Sequence, residues 1–256
     1  MPRLALLAHP AVRSAISREL GQDVEYHERI DSTQTRAREL AKAGARSGVV
    51  VANEQLAGLG THGRPWHATA GSSLLASWIA RPAPRSPALV AALAGVAVAR
   101  ALDALGCEGA RLKWPNDVEL EGRKLAGALA HSTSDEGGGV LVLGIGINVH
   151  QQRSDLPAEI SGAATSLAIA RHPVDRLALL ARLTHELDRL QDPVELERAH
   201  REWIDRCSLL GRGVEVRIAG RDPFSGTASA IDDEGALLVH TAAGVERVVS
   251  GDVRLA

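Results

Sequence analysis

Lysine and asparagine are almost missing from this chain. It holds three of each, Lys42, Lys113 and Lys124, and Asn53, Asn116 and Asn148, and it meets its need for positive charge with arginine. Cysteine is as sparse. Cys107 and Cys207 stand apart with no CxxC pair, which argues against a disulfide scaffold or a zinc ribbon and points to a reducing compartment. No 18-residue apolar stretch is expected anywhere in the chain, and the opening MPRLALLAHP has an apolar run of only five residues before His9 and Pro10. That is too short for a signal-peptide core, so the expectation is a soluble, cytoplasmic protein with no membrane contact. An excess of positive charge is lacking as well. The formal net charge is −2 and the pI about 6.6, so no general nucleic-acid surface is implied.

What is present is enough to fold. At 256 residues and 45% hydrophobic, the chain can bury a full core, and one large domain with a small one is expected. Two of the three lysines and Asn116 fall in RLKWPNDVELEGRKLAGALAH, residues 111–131, with Asn148 close behind. Lysine is a compact point charge on a flexible stem, which arginine's planar fork cannot replace at a crowded site. The segment therefore suggests a site for a negatively charged reacting group. A hairpin with a cationic exposed edge is the plainer alternative.

Residues 1–22 read ambiguously, with a short helix possible over Ala11–Leu20. Val24–His27 looks like a strand. Asp31-Ser32-Thr33-Gln34 offers capping side chains ahead of a helix with Ala37, Leu40 and Ala41 on one face; Ser32 and Thr33 need do no more than cap. Val49–Ala52 is a buried strand type. A long Gly-rich loop follows, from Gln55 past Trp66 and His67 to Gly71, and such loops are usually functional lids or disordered. Gly58-Leu59-Gly60-Thr61-His62-Gly63 matches GxGxxG, but Pro65 interrupts, a strand rather than a helix comes next at Ser72–Ile79, and no acid stands near residue 83. The dinucleotide reading is rejected. His62 and His67 lack a third ligand nearby and read as ordinary loop residues.

Ser86 as cap, Pro87 and Gly106 bracket a helix whose buried face carries Leu89, Leu93, Val96 and Leu102. Arg111–Trp114 is a strand, and Asp117–Leu120 with Lys124–His131 form a hairpin turning at Glu121-Gly122. Gly137-Gly138-Gly139 turns into a strand over Val140–Val149, where Gly144 and Gly146 invite close approach of a ligand or backbone. Two helices follow. One begins near Pro173 with Leu177, Leu180, Leu187 and Leu190 as its core stripe; the other has Asp192 as cap, Pro193, and Leu196, Ala199, Trp203 and Cys207 on one face. From Gly213 onward, short alternating strands between Gly/Asp turns predict a small SH3-like barrel.

Taken together, IDST at 30–33, the loop ending GR-x-W at 63–66, KWPND at 113–117, GRKLAG at 122–127 and GIGIN at 144–148 closely resemble the biotin protein ligases. The resemblance covers about residues 25–256, and KWPND followed closely by RKLAG is its most specific part. It implies an α+β fold: a mixed central sheet with flanking helices, class II synthetase-like, plus the SH3-like C-terminal barrel. The divisions expected are a short segment 1–23, a catalytic domain 24–210 and a barrel 211–256.

The activity implied is ATP-dependent formation of biotinyl-5′-AMP and transfer of biotin to a lysine of a biotin carboxyl carrier protein, with Mg2+ required. The carrier would be a subunit of acetyl-CoA carboxylase or another biotin-dependent carboxylase. By the same resemblance Lys124 and Arg64 are catalytic. Ser32, Thr33, Gln34, Gln55, Gly58, Leu59, Gly60, Thr61, Lys124 and Gly127 contact biotin, and Arg64, Trp66, Lys113, Asn116, Asp117 and Asn148 contact ATP; metal ligands stay unassigned. The Gly-rich loop is expected to close and keep water from the acyl-adenylate.

Two departures are visible. The family loop GRGRxGR reads GLGTHGR here, so Leu59 and Thr61 stand where arginines are usual, and Gln34 stands for a usual Asn. Looser retention of the adenylate is expected. Residues 1–24 are too few for a winged helix, so no DNA binding is expected, and the assembly is a monomer or homodimer. A lipoate–protein ligase and a non-catalytic biotin or adenylate sensor are the alternatives.

Overall fold

The computed structural model describes residues 3–81, 87–135 and 138–256. Seven strands make a mixed sheet: β1 (Val24–His27), β2 (Ser47–Ala52), β3 (Ser73–Ala80), β4 (Arg111–Lys113), β5 (Asp117–Leu120), β6 (Arg123–Asp135) and β7 (Gly138–Asn148). Their order is β1-β2-β3-β7-β6-β5-β4. β1 and β2 run parallel, and every other neighbouring pair runs antiparallel.

Alternation along the strands assigns the faces. In β7, Leu141, Leu143, Ile145 and Ile147 enter the large core, whereas Val140 and Val142 enter a smaller cluster with Ala37, Ala41, Val50 and Ile79. The small cluster is covered by α2 (Thr33–Lys42), which packs on β2, β3 and β7. The large core lies under α3 (Pro87–Ala104), α4 (Arg176–Arg189) and α5 (Pro193–Arg206). One short helix cannot span seven strands, so part of the α2 face stays uncovered, and there the site is built.

α3 corrects the expectation about apolar stretches. Its 18 residues reach a mean hydropathy of 1.6, long and apolar enough by composition to cross a membrane, but 67% of that window is buried within the protein. Buried residues lie all round it, the pattern of a core helix. Its expected cap, Ser86, lies outside the described residues, as does Gly137 of the expected turn. α4 corrects a phase. Asp175 caps it, accepting from the backbone N–H groups of Leu177 and Ala178, and its buried leucines are Leu179, Leu180 and Leu183, while Leu177, Leu187 and Leu190 pack only in part. α5 follows expectation: Asp192 accepts from Val194 and Glu195 at its start, and Ala199 and Trp203 are buried.

The N-terminal segment packs onto the rest. A 3-10 turn over Arg3–Ala8 and α1 (Pro10–Leu20) bring Leu4, Leu7 and Leu20 into the large core, against α4 and β1. Cys107 and Cys207 are both buried there. The C-terminal strands β8 (Gly213–Arg217), β9 (Phe224–Ile231), β10 (Leu237–Thr241), β11 (Gly244–Val248) and β12 (Asp252–Leu255) form a five-stranded antiparallel sheet in the order β11-β10-β9-β8-β12. Val214, Val216, Leu237, Val239 and Val253 continue the large core into this sheet. Trp114 ties the two parts, its indole N–H donating to the Gly235 carbonyl at 2.9 Å.

Candidate active site

The cap of α2 is Ser32 rather than Asp31: its Oγ accepts from the Thr35 backbone N–H at 3.4 Å. That leaves Thr33 free for another task. The Gln55 carboxamide oxygen accepts from both the Thr33 backbone N–H (2.8 Å) and its hydroxyl (2.9 Å), and the same hydroxyl meets Ser77 Oγ at 2.9 Å. Gln34 reaches across the sheet, its amide nitrogen donating to the carbonyls of Val142 (3.1 Å) and Leu129 (3.3 Å) while its oxygen accepts from Ser77. So the start of α2, β3 and the foot of the loop are locked into one polar wall.

The Gly-rich loop is a folded hairpin. Gly60 N–H donates to the Arg64 carbonyl (2.8 Å), Trp66 N–H to the Gly58 carbonyl (3.0 Å), and Thr61–Gly63 make a 3-10 turn at its tip. Gly58 is required by close approach: a Cβ there would stand 2.8 Å from the Trp66 carbonyl oxygen. The hairpin lays the Trp66 indole over Gly146, where a Cβ would come within 2.6 Å of the ring. Gly146 pairs across the ladder with Gly127. Gly127 in turn makes room for Lys124, whose Nζ stands 2.6 Å from Asp117 Oδ1 and 5.8 Å from the centroid of a Trp66 ring. The paired glycines thus form a smooth floor, with a cation over one and an aromatic ring over the other.

Ser32, Thr33, Gln34, Gln55, Leu59, Gly60, Thr61, Trp66, Asn116, Lys124 and Gly127 all line one cavity of about 50 Å³. Reasoning from sequence also missed part of its wall: Leu75, Ala76, Ser77, Ala128, Leu129 and Ile145. Ser77 had a signal, being polar in the middle of a buried, mostly apolar strand; the others are ordinary strand residues. Asn116 is fixed by donating to the Ala128 carbonyl at 2.5 Å.

Five expected residues are not brought into the cavity wall. Gly58 lies behind it, shaping the hairpin. Lys113 faces Glu119 at 4.0 Å on the next strand. Asn148 is buried, donating to the Thr165 carbonyl and accepting from Gln151. Arg64 is exposed, its guanidinium 3.5 Å from Asp252 of the C-terminal sheet. Asp117 stands outside the lining and meets it only through its ion pair with Lys124. The strand carrying Lys124 is held from outside as well, since Lys124 N–H donates to the Ala163 carbonyl and its own carbonyl accepts from Thr165 N–H.

An amine, carboxamides and hydroxyls around a partly apolar floor suit a ligand with an anionic end and a neutral part that can hydrogen-bond. Comparison with known proteins bears on what that ligand is. The family model described as "Biotin/lipoate A/B protein ligase family" matches residues 26–148, and that described as "Biotin protein ligase C terminal domain" matches residues 209–255. The chain is 34% identical over 258 residues to the bifunctional ligase/repressor BirA of Bacillus subtilis, spanning 97% of this chain and 79% of that protein. It is 35% identical over 238 residues to the biotin--[acetyl-CoA-carboxylase] ligase of Paracoccus denitrificans, spanning 88% and 97%. Its fold is similar to that of the biotin protein ligase from Aquifex aeolicus in complex with biotin and ATP, with a TM-score of 0.77 and 26% identity over 91% of this chain and 99% of that one.

Proposed function

Because this chain belongs to the biotin protein ligases of the biotin/lipoate A/B protein ligase family, we propose that its cavity carries out both halves of protein biotinylation. The enzyme is an ATP-dependent ligase. A biotin carboxylate oxygen attacks the α-phosphorus of ATP, pyrophosphate leaves, and biotinyl-5′-AMP forms. The amine of a lysine on a biotin carboxyl carrier protein then attacks the acyl carbon, AMP leaves, and an amide results.

The observation that carries this reading is the Lys124 ammonium set over Gly127 and held by Asp117 at 2.6 Å. Two anions must approach one another in the first half-reaction, and a fixed cation stabilises the charge that develops between them. Lys124 sits on β6, paired with Glu119 of β5 and held by the backbone bonds to Ala163 and Thr165, so its position needs little reorganisation at the moment of reaction. The Thr33–Gln55–Ser77 wall offers donors and acceptors to biotin's ureido ring, while Leu75 and Ile145 suit its apolar half. Asn116 and Trp66 lie toward the nucleotide, with Arg64 at the rim.

Magnesium fits as an ion delivered with the nucleotide. Mg2+ favours substrate phosphates and water with one or two carboxylates, and Asp117 is the carboxylate beside Lys124 that would face it. Bound there, the ion would offset phosphate charge.

A cavity of about 50 Å³ is far below the roughly 300–1,000 Å³ of sites that enclose small molecules. The Trp66 ring must therefore lift from Gly146 for substrate to enter, and the hairpin then closes over it and excludes water. Leu59 and Thr61 add no charge to that closure.

Pyrophosphate release with MgATP and biotin, with and without a biotin carrier domain and with lipoate as control, tests the reading. Release that depends on biotin and is sustained by the carrier is expected. One equivalent followed by silence with carrier present would instead mark a sensor.

A further inference from the structure

Arg176, the first residue of α4, is 1% exposed and is placed under the base of the Gly-rich hairpin. One terminal nitrogen donates to the backbone carbonyl of Ser73 at 3.0 Å, where β3 begins after the hairpin. The other donates to Asn53 Oδ1 at 3.1 Å, where the hairpin leaves β2. Asn53 is held in its turn: its amide nitrogen donates to Glu28 Oε1 at 2.7 Å, and Tyr26 Oη donates to the other Glu28 oxygen at 2.7 Å. The two feet also touch directly, Gly71 N–H donating to the Asn53 carbonyl at 2.9 Å. A guanidinium thus spans both feet of the segment that carries Gln55 and Trp66.

Packing does not account for this residue. Its two hydrogen bonds reach neutral oxygens, and its Nε has no partner. Burying a charge so incompletely satisfied is costly, and an apolar side chain of similar volume is often the more stable choice. What an apolar side chain or a lysine lacks is a rigid planar fork that meets two acceptors at once.

We propose that Arg176 is a positioning residue of the ligase, bridging the feet of the hairpin so that the closed lid holds the acyl-adenylate until the carrier lysine arrives. The assignment rests on the ligase reading above. It concerns retention of the intermediate rather than its formation, because Arg176 touches neither Lys124 nor the cavity wall. The loop arginines usual in the family are replaced by Leu59 and Thr61, so lid closure here depends the more on how its base is held.

The test uses the full chain with Arg176→Met, Arg176→Lys and Asn53→Ala, and two readouts. The first is amide hydrogen exchange, comparing residues 55–71 with Leu179–Leu183 of α4. The hairpin is expected to exchange faster by on the order of tenfold while α4 is unchanged, a pattern that general loss of stability does not give. The second is the ratio of biotin-dependent pyrophosphate release without carrier to biotin transferred with carrier. That ratio is expected to rise by on the order of tenfold as the intermediate escapes and hydrolyses, with the rate of adenylation little changed.

Arg176→Lys keeps the charge but not the fork and is expected to behave like Arg176→Met. Should Arg176→Met not fold, Asn53→Ala decides, since it leaves the buried charge in place and removes one acceptor. Hairpin exchange and a release ratio both within about twofold of the unaltered chain would overturn the proposal, as would faster hairpin exchange with an unchanged ratio. If the unaltered chain releases no pyrophosphate in response to biotin, the ligase reading itself fails and this role falls with it; the exchange readout still separates that failure from an error in the geometry.

Discussion

Lys124 is half-exposed, yet Gly127 and the Asp117 carboxylate define where its ammonium sits. Lys124→Ala removes that cation without touching the core, so adenylation is expected to slow by on the order of 10²–10³ with an unchanged far-UV spectrum; a mutant within threefold of the parent would remove Lys124 from the mechanism. Gly146→Ala tests the floor. Its Cβ would stand 2.6 Å from the Trp66 ring, so the indole is expected to be displaced, with biotin binding weaker by about 1–3 kcal/mol in titration calorimetry and a shifted tryptophan emission. Replacing Leu59 and Thr61 together with arginine is expected to slow loss of the adenylate, measured by trapping it from the enzyme on a filter.

Much at this scale was legible from residue type and order: rare lysines concentrated in one segment, glycines in a strand, a loop with one arginine and one tryptophan. Where side chains point was less so. Asn148 turns to Thr165 and Gln151, and Arg64 turns to Asp252, because their partners lie on segments whose approach no local pattern encodes. Arg176 went unnoticed for the same reason, since a lone arginine at a helix start reads as a solvated charge.

Among the elements, those with strong punctuation were read best. Asp192-Pro193 marks α5, the Glu121-Gly122 turn marks the hairpin, and both stand as expected. α4 was misjudged in phase because its leucines at 177, 179, 180 and 183 satisfy more than one helical stripe, and only the sheet beneath decides which turn inward. Its cap is Asp175, two residues beyond the Pro173 that marks its approach in the sequence. Removing that cap by Asp175→Ala is expected to cost about 1 kcal/mol, read as a lower urea midpoint with an unchanged slope. Strand order was beyond local pattern altogether: β3 pairs with β7, far along the chain, and that pairing sets Ser77 opposite Gly144 in the cavity wall.

At the scale of the molecule, the hairpin and the C-terminal sheet meet through Arg64 and Asp252, with Arg254 on the same carboxylate. Burial pushes the Asp252 carboxyl up, but Arg254 and Arg64 outweigh it and hold it below the usual aspartate range. A lowered folded-state pKa stabilises above the unfolded value and is lost as pH falls through the folded one. Stability is therefore expected to decline on the acid side of about pH 4, and Asp252→Asn is expected to flatten that limb in denaturant titrations run from pH 3 to 6. The small C-terminal sheet was foreseeable from its turn spacing; its docking through Trp114 and Gly235 was not, as those residues are far apart in the chain.

The two cysteines are silent for a physical reason. Both are buried, and burial raises both thiols, that of Cys107 to about 11, so neither offers much thiolate at neutral pH. A single cysteine engineered at the tip of the hairpin would accept a maleimide dye without first stripping the native pair. The opening and shutting of the lid then becomes something to watch by single-molecule fluorescence, in an enzyme otherwise left as it is.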